Sequence, residues 1–109
     1  MKKIEEIYNL CAQTGAWYGI EIKHFDQRNF MEDTVLHTVC SWGDVEAVKV
    51  LVAAGANVNA KGDLGSTPLF NALMGRSLDV ISFLLKSGAD PGVANDHKWM
   101  VLNLSLIHI

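Results

Sequence analysis

Cysteine and proline are scarce, with two of each in 109 residues. Cys11 and Cys40 cannot build a disulfide framework, so a reducing, cytoplasmic compartment is expected. There is no basic excess: Lys plus Arg is 9 and Asp plus Glu is 12, for a net charge of -3. A surface that binds nucleic acid by neutralising phosphates is not expected from that balance. No apolar run approaches the roughly 18 residues of a membrane span. The start, Met1-Lys2-Lys3-Ile4-Glu5-Glu6-Ile7, is charged where a signal peptide carries its apolar stretch. Neither a membrane nor a nucleic acid is therefore expected as a partner. What the chain does have is apolar material. Half of its residues are hydrophobic and 19% are charged, enough to bury the core of one small domain.

That material recurs with a period. Thr34-Val35-Leu36-His37 returns as Thr67-Pro68-Leu69-Phe70 at an offset of 33. Leu51 maps onto Leu84, Gly55-Ala56 onto Gly88-Ala89, and Asp63 onto Asp96. Conservative pairs fill the gaps: Glu46 with Asp79, Val48 with Ile81, Val52 with Leu85, Asn57 with Asp90. Matching chemistry at a fixed offset argues for stacked copies of one supersecondary unit.

The unit reads as helix, turn, helix, loop. Thr34 and Thr67 are N-cap residues, and Pro68 suits the first helical position, where its missing N–H costs nothing. A first helix is expected to run to about Trp42 in one copy and Met74 in the other. A second is expected over Val45–Ala53 and Leu78–Lys86. Its apolar stripes are Val45, Val48, Leu51 and Val52, then Leu78, Ile81, Leu84 and Leu85. Gly55 and Gly88 fall just past these helices, where a left-handed cap favours glycine. The segment 57–66 is polar and glycine-rich and should be an extended turn between copies.

These residues resemble the ankyrin repeat, whose period and T-P-L-H signature they carry. The resemblance covers about residues 29–103. It implies an all-α solenoid with short β-hairpin loops, two full repeats and partial terminal repeats. Residues 1–33 would be a cap helix and first hairpin, 34–66 the first repeat, 67–99 the second, and 100–109 a truncated third. Departures are Val35 for the proline, Phe70 for the histidine, and Arg76 where the mid-repeat glycine stands. Gly75 is expected to take that glycine's role.

At the N-terminus, residues 4–12 predict a cap helix with Ile4, Ile7, Leu10 and Cys11 on its apolar face, ended by Thr14-Gly15. Ile20 and Ile22 alternate with Glu21 and Lys23, as in a short extended piece. Residues 26–33 should form the first hairpin. Residues 104–109, Leu-Ser-Leu-Ile-His-Ile, look like the translation of a transposase adapter end used in sequencing libraries. The natural chain is expected to be longer and to lack them; a natural ragged C-terminal helix is the alternative.

No catalytic set emerges. His24, His37, His97, His108 and the cysteines lack metal-ligand spacing, so no metal or cofactor is expected. Gly62 and Gly65 are not followed by the Lys-Ser/Thr of a phosphate loop. Cys11 and Cys40 read as packed thiols. The resemblance implies that Thr34 and His37 hydrogen-bond the hairpin backbone. No nucleophile, base and orienter can be assembled, so an enzyme is not expected.

Binding remains. The family's contact positions fall on Phe30, Met31, Ser41 and Trp42 in the first copy. They fall on Asp63, Leu64, Met74 and Gly75 in the second, and on Asp96 and His97 at the start of a third. Apolar tips with nothing to bind would normally be polar, so Phe30, Met31, Trp42, Leu64 and Met74 point to a protein partner, rimmed by Arg28, Glu32 and Asp63. Trp42 and Met74 either join that surface or tuck between adjacent copies. The stretches 33–44 and 61–72 resemble short bacterial ankyrin proteins that stand beside toxin genes, which implies an immunity or antitoxin role with a toxin as partner, acting as a monomer. The alternative is a regulatory or scaffold fragment of a longer ankyrin-containing chain, an enzymatic one included.

Overall fold

The computed structural model describes residues 3–96. Five helices follow one another: α1 (Ile4–Ala12), α2 (Val35–Trp42), α3 (Val45–Ala54), α4 (Pro68–Met74) and α5 (Leu78–Lys86). The expected second helices thus form within one residue of their predicted bounds. α2 folds back on α3 and α4 on α5; α4 lies along α2, and α5 along α3. The two helical hairpins therefore stand side by side in the same orientation. The seam between them holds Leu36, Val39, Cys40, Val48, Leu51, Leu69, Ala72, Val80, Ile81 and Leu84, all buried. Each hairpin presents an apolar face that it cannot bury alone, and stacking removes both faces from water.

Every helix from α2 to α5 ends in the same way. A residue one or two positions past it turns left-handed and two backbone bonds reach back into the last turn. At α2, Gly43 takes φ 73 with Gly43 N–H to Cys40 O and Asp44 N–H to Val39 O. At α4 the same pair of bonds runs from Arg76 to Leu73 and from Ser77 to Ala72, and Arg76 itself takes φ 56. The expectation that Gly75 would assume the glycine's role is thereby corrected. Gly75 stays right-handed at φ -77, and Arg76 bears the turn. Gly75 is needed for a different reason: a Cβ there would lie 2.6 Å from the Ser41 carbonyl oxygen, so α4 can approach the end of α2 only with glycine.

The N-terminal helix packs against α2 and α3. Its buried residues are Ile7, Tyr8 and Cys11, whereas Leu10, expected on the apolar face, is exposed. Helical geometry explains the correction. At ~100° per residue, Ile4, Ile7, Tyr8 and Cys11 fall within one arc, and Leu10 falls outside it. Thr14 closes the helix by donating its hydroxyl to Cys11 O at 2.6 Å. A 3-10 turn at Gly15–Trp17 then buries Trp17 completely, with its indole N–H on Thr38 Oγ1 at 2.9 Å.

Two further expectations change. Leu78 and Leu85 are exposed, while Val80 is buried in the α5 stripe. Their counterparts Val45 and Val52 are half-buried because α5 lies against α3; among the described residues no element follows α5. The loops expected as β-hairpins close as tight turns, with Asn29 N–H on Asp33 O and Glu32 N–H on Asn29 O in the first, and Gly62 N–H on Ser66 O and Gly65 N–H on Gly62 O in the second. Left-handed residues at the tips turn the chain at once, so no strand forms among the described residues. The expected third copy, and the adapter-like residues 104–109, lie outside the described residues.

Candidate partner-binding surface

The fingers between copies are held by side chains at their bases. Buried His37 is the central post. Its Nδ1 accepts from Thr34 N–H at 3.1 Å, so the proton sits on Nε2, which donates to Ser66 O at 2.9 Å in the next finger. Burial holds its pKa below the ordinary 6.5, against an opposing pull from Asp33 and from backbone carbonyls. Gly62 packs onto this post; a Cβ there would lie 2.8 Å from His37 Nε2 and would overlap the Asp33 carboxylate. In the second copy Phe70 stands where the histidine was, and α4 is tied instead by Asn71, whose Nδ2 donates to His37 O at 3.2 Å.

Three contacts join the tips into one edge. Arg28 Nη1 donates to Glu32 O at 2.5 Å and to Lys61 O at 2.6 Å, clasping the first finger to the second. Asp33 Oδ1 accepts from Asp63 N–H at 2.8 Å. Asp96 N–H donates to Leu64 O, also at 2.8 Å, bringing the start of the third loop against the second tip. Asn29 shapes the first tip by accepting from Met31 N–H and Asp33 N–H at 2.9 and 3.0 Å.

The predicted contact residues are distributed along this edge and along the ends of α2 and α4. At the tips, Phe30 is 84% exposed, Met31 45% and Leu64 55%; at the helix ends, Trp42 is 44% and Met74 57% exposed. Trp42 and Met74 are therefore not core between copies. The close approach of Gly75 to Ser41 brings the end of α4 against the end of α2, with Trp42 and Met74 each one residue along the chain from that contact. Ser41 turns its hydroxyl back to Thr38 O at 2.6 Å. Asp63 and Asp96 are exposed at the second tip. Gly75 serves the helix contact by its lack of a side chain. His97 lies outside the described residues. Sequence reasoning missed Asn29, Asn71 and Trp17, whose partners lie 21 or more residues away or on a finger backbone that no spacing rule shows.

Little here is arranged for chemistry. Cys11 and Cys40 are fully buried; burial pushes the Cys11 thiol up to about 12 and the Cys40 thiol higher still. Among the described residues, no group of three or more His, Cys, Asp and Glu is placed to hold a metal. A cavity of about 240 Å³ lies between Phe25, Arg28, Thr34 and Asn57, and one of about 270 Å³ lies between Lys49, Asp79, Phe83 and Lys86. Both fall below the ~300 Å³ at which small-molecule sites begin. No helix of the described residues is long and apolar enough to cross a membrane.

The ankyrin repeats (3 copies) family matches residues 8–95. The chain belongs to the ankyrin repeat family. This ankyrin chain is 35% identical over 74 residues to human BCL-6 corepressor-like protein 1, covering 68% of the chain and 4% of that protein. It is 39% identical over 72 residues to palmitoyltransferase AKR1 of Kluyveromyces lactis, covering 65% of the chain and 10% of that enzyme. It is 28% identical over 92 residues to ankyrin repeat protein OPG189 of vaccinia virus (strain Copenhagen), covering 84% of the chain and 15% of that protein. The chain thus spans a small fraction of the length of these relatives. They are animal, fungal and viral, and the bacterial affiliation expected from the sequence has no counterpart among them. Ankyrin repeats are in general non-catalytic modules of protein interaction.

Proposed function

We propose that this ankyrin stack binds a protein partner through its finger tips and the adjoining ends of α2 and α4, and that it carries out no catalysis itself. One observation supports this above the others. Five large apolar side chains, Phe30, Met31, Leu64, Trp42 and Met74, stand exposed on the finger tips and at the ends of α2 and α4, with Met31 and Leu64 at the same position of neighbouring copies. Exposed apolar residues scattered singly need no explanation; a set gathered on the tips and the adjoining helix ends does. The fingers are already fixed by His37, Arg28 and Asn29, so little ordering cost attends association. Trp42 is the expected hot spot. Trp42→Ala should lower partner affinity roughly tenfold or more while leaving the unfolding midpoint nearly unchanged. Loss of the fold in that variant would return Trp42 to a packing role. A photo-crosslinker placed at Phe30 or Met74 should capture the partner, whereas one at Lys49 on the outer helices should not.

A second reading is favoured by the small share of its relatives that the chain spans: the stack is the targeting or regulatory portion of a longer protein. Gene context separates it from a stand-alone immunity protein, which would lie beside a toxin gene. The immunity role rests on the sequence resemblance alone.

A further inference from the structure

Building on the protein-binding reading, we infer that the finger edge recognises an extended partner segment in which large apolar residues are interleaved with basic ones. The apolar half of the argument is Phe30, Met31 and Leu64. Leu64 is exposed while held at φ 54, a left-handed conformation that side-chain-bearing residues avoid. Glu32 is held likewise at φ 70. These two tips thus project an apolar and an acidic side chain from strained backbone that the Arg28 clasp and the Asp96–Leu64 bond keep in place.

The charged half is the acidity around those tips. Glu32 and Asp33 border Phe30 and Met31, and Asp63 borders Leu64. A Cβ on Gly65 would fall 2.5 Å from Asp96 Oδ1, so a second carboxylate sits at that tip. In the loops 26–33 and 60–66 the bases are Arg28 and Lys61. Arg28 spends its Nη1 on two carbonyl oxygens of the fingers themselves. Among the described residues, the carboxylates of Glu32 and Asp63 make no ion pair. An acidic partner would meet repulsion here, and a purely apolar one would strand these carboxylates against its own surface.

Spacing follows from the stack. Packed helices lie ~10 Å apart, so the fingers carried by α2 and α4 repeat at about that distance. A chain extended in the polyproline II form covers it in about three residues, and its three-residue turn returns side chains i and i+3 to the same side. Apolar anchors at every third position, with bases between them, match both tips at once.

The test uses the whole chain, isotope-labelled and titrated with a synthetic peptide of Leu-Lys-Lys repeats and with its Leu-Glu-Glu counterpart. The Lys peptide should shift the amide signals of residues 30–33 and 62–65, and its binding should weaken as salt is raised. The double variant Glu32→Lys, Asp63→Lys should weaken it at least roughly fivefold. Leu64→Ser should weaken it too, with the thermal midpoint of each variant recorded as a control on folding. Equal binding of the Glu peptide, no binding of the Lys peptide, or shifts centred on Lys49 and Phe83 would overturn the inference. Its failure is separable from that of the broader reading. If crosslinkers at Phe30 or Met74 still capture a protein partner whose affinity ignores the charge reversal, protein binding stands and the basic segment does not.

Discussion

Arg76 is in conflict with its own backbone. It occupies the left-handed position that Gly43, Gly55 and Gly88 fill at the other helix ends, at φ 56 against their 73, 112 and 96. A side chain there costs about 1 kcal/mol or more, partly offset because glycine is freer in the unfolded chain. Arg76→Gly should therefore raise stability by roughly 0.5–1 kcal/mol in urea unfolding, and a loss would show that the guanidinium has a partner worth more than the strain. His37 makes the opposite case. Its pKa in the fold lies below the unfolded value of 6.5, so the unfolded chain takes up the proton first. Its stabilising contribution is complete above pH 6.5 and is lost as pH falls from there through its lower value in the fold. Protonation would also remove the lone pair that holds Thr34 N–H. The unfolding midpoint should drop between pH 7.5 and 5.5. His37→Gln should be less stable at pH 7.5 and should show a flatter profile over the same span. The tie between Thr34, His37 and the next finger was legible in the sequence through the motif. The exchange of roles between Gly75 and Arg76 was not, because two adjacent residues can share one turn in either order and only the seat of α4 on α2 selects between them.

Among the elements, the α2–α4 pair controls the proposed surface, since it carries the fingers and both helix ends. One tight point in it is Gly75 against the Ser41 carbonyl. That atom belongs to backbone and cannot swing aside. Gly75→Ala should force the pair apart, costing about 1–3 kcal/mol, and should shift Trp42 relative to Met74. Tryptophan fluorescence and a denaturant curve would register the two effects separately; an unchanged midpoint would mean that the helix ends yield freely. Helix positions were readable from the apolar stripes and caps, because each copy repeats the same local chemistry. Burial at the edges of a stripe was not. Leu78 and Leu85 belong to the same pattern as Val45 and Val52, and the difference in exposure comes from which neighbour each helix has.

On the scale of the whole molecule, the stack is held by interfaces between copies, each of which covers what its neighbour cannot. Cys11 in α1 and Cys40 in α2 report on this independently, since both thiols are fully buried and poorly ionised. Under native conditions both should resist a thiol reagent, and in rising urea both should become reactive at one common midpoint. Earlier labelling of Cys11 alone would mean that α1 opens before the stack. With two helical hairpins from α2 to α5 among the described residues, against the roughly three copies that such arrays favour, that midpoint should lie at low denaturant. The ankyrin fold, its helices and the identities of the candidate contact residues were determined by sequence alone, for a physical reason: a period of 33 writes the same caps, stripes and turns twice, and each is a local property of the chain. Tertiary structure alone decided that Trp42 and Met74 face solvent, that Arg28, Asp33 and Asp96 lock successive tips into one edge, and that Arg76 bears the strained turn. Those outcomes depend on how closely two copies approach, a distance no single copy specifies.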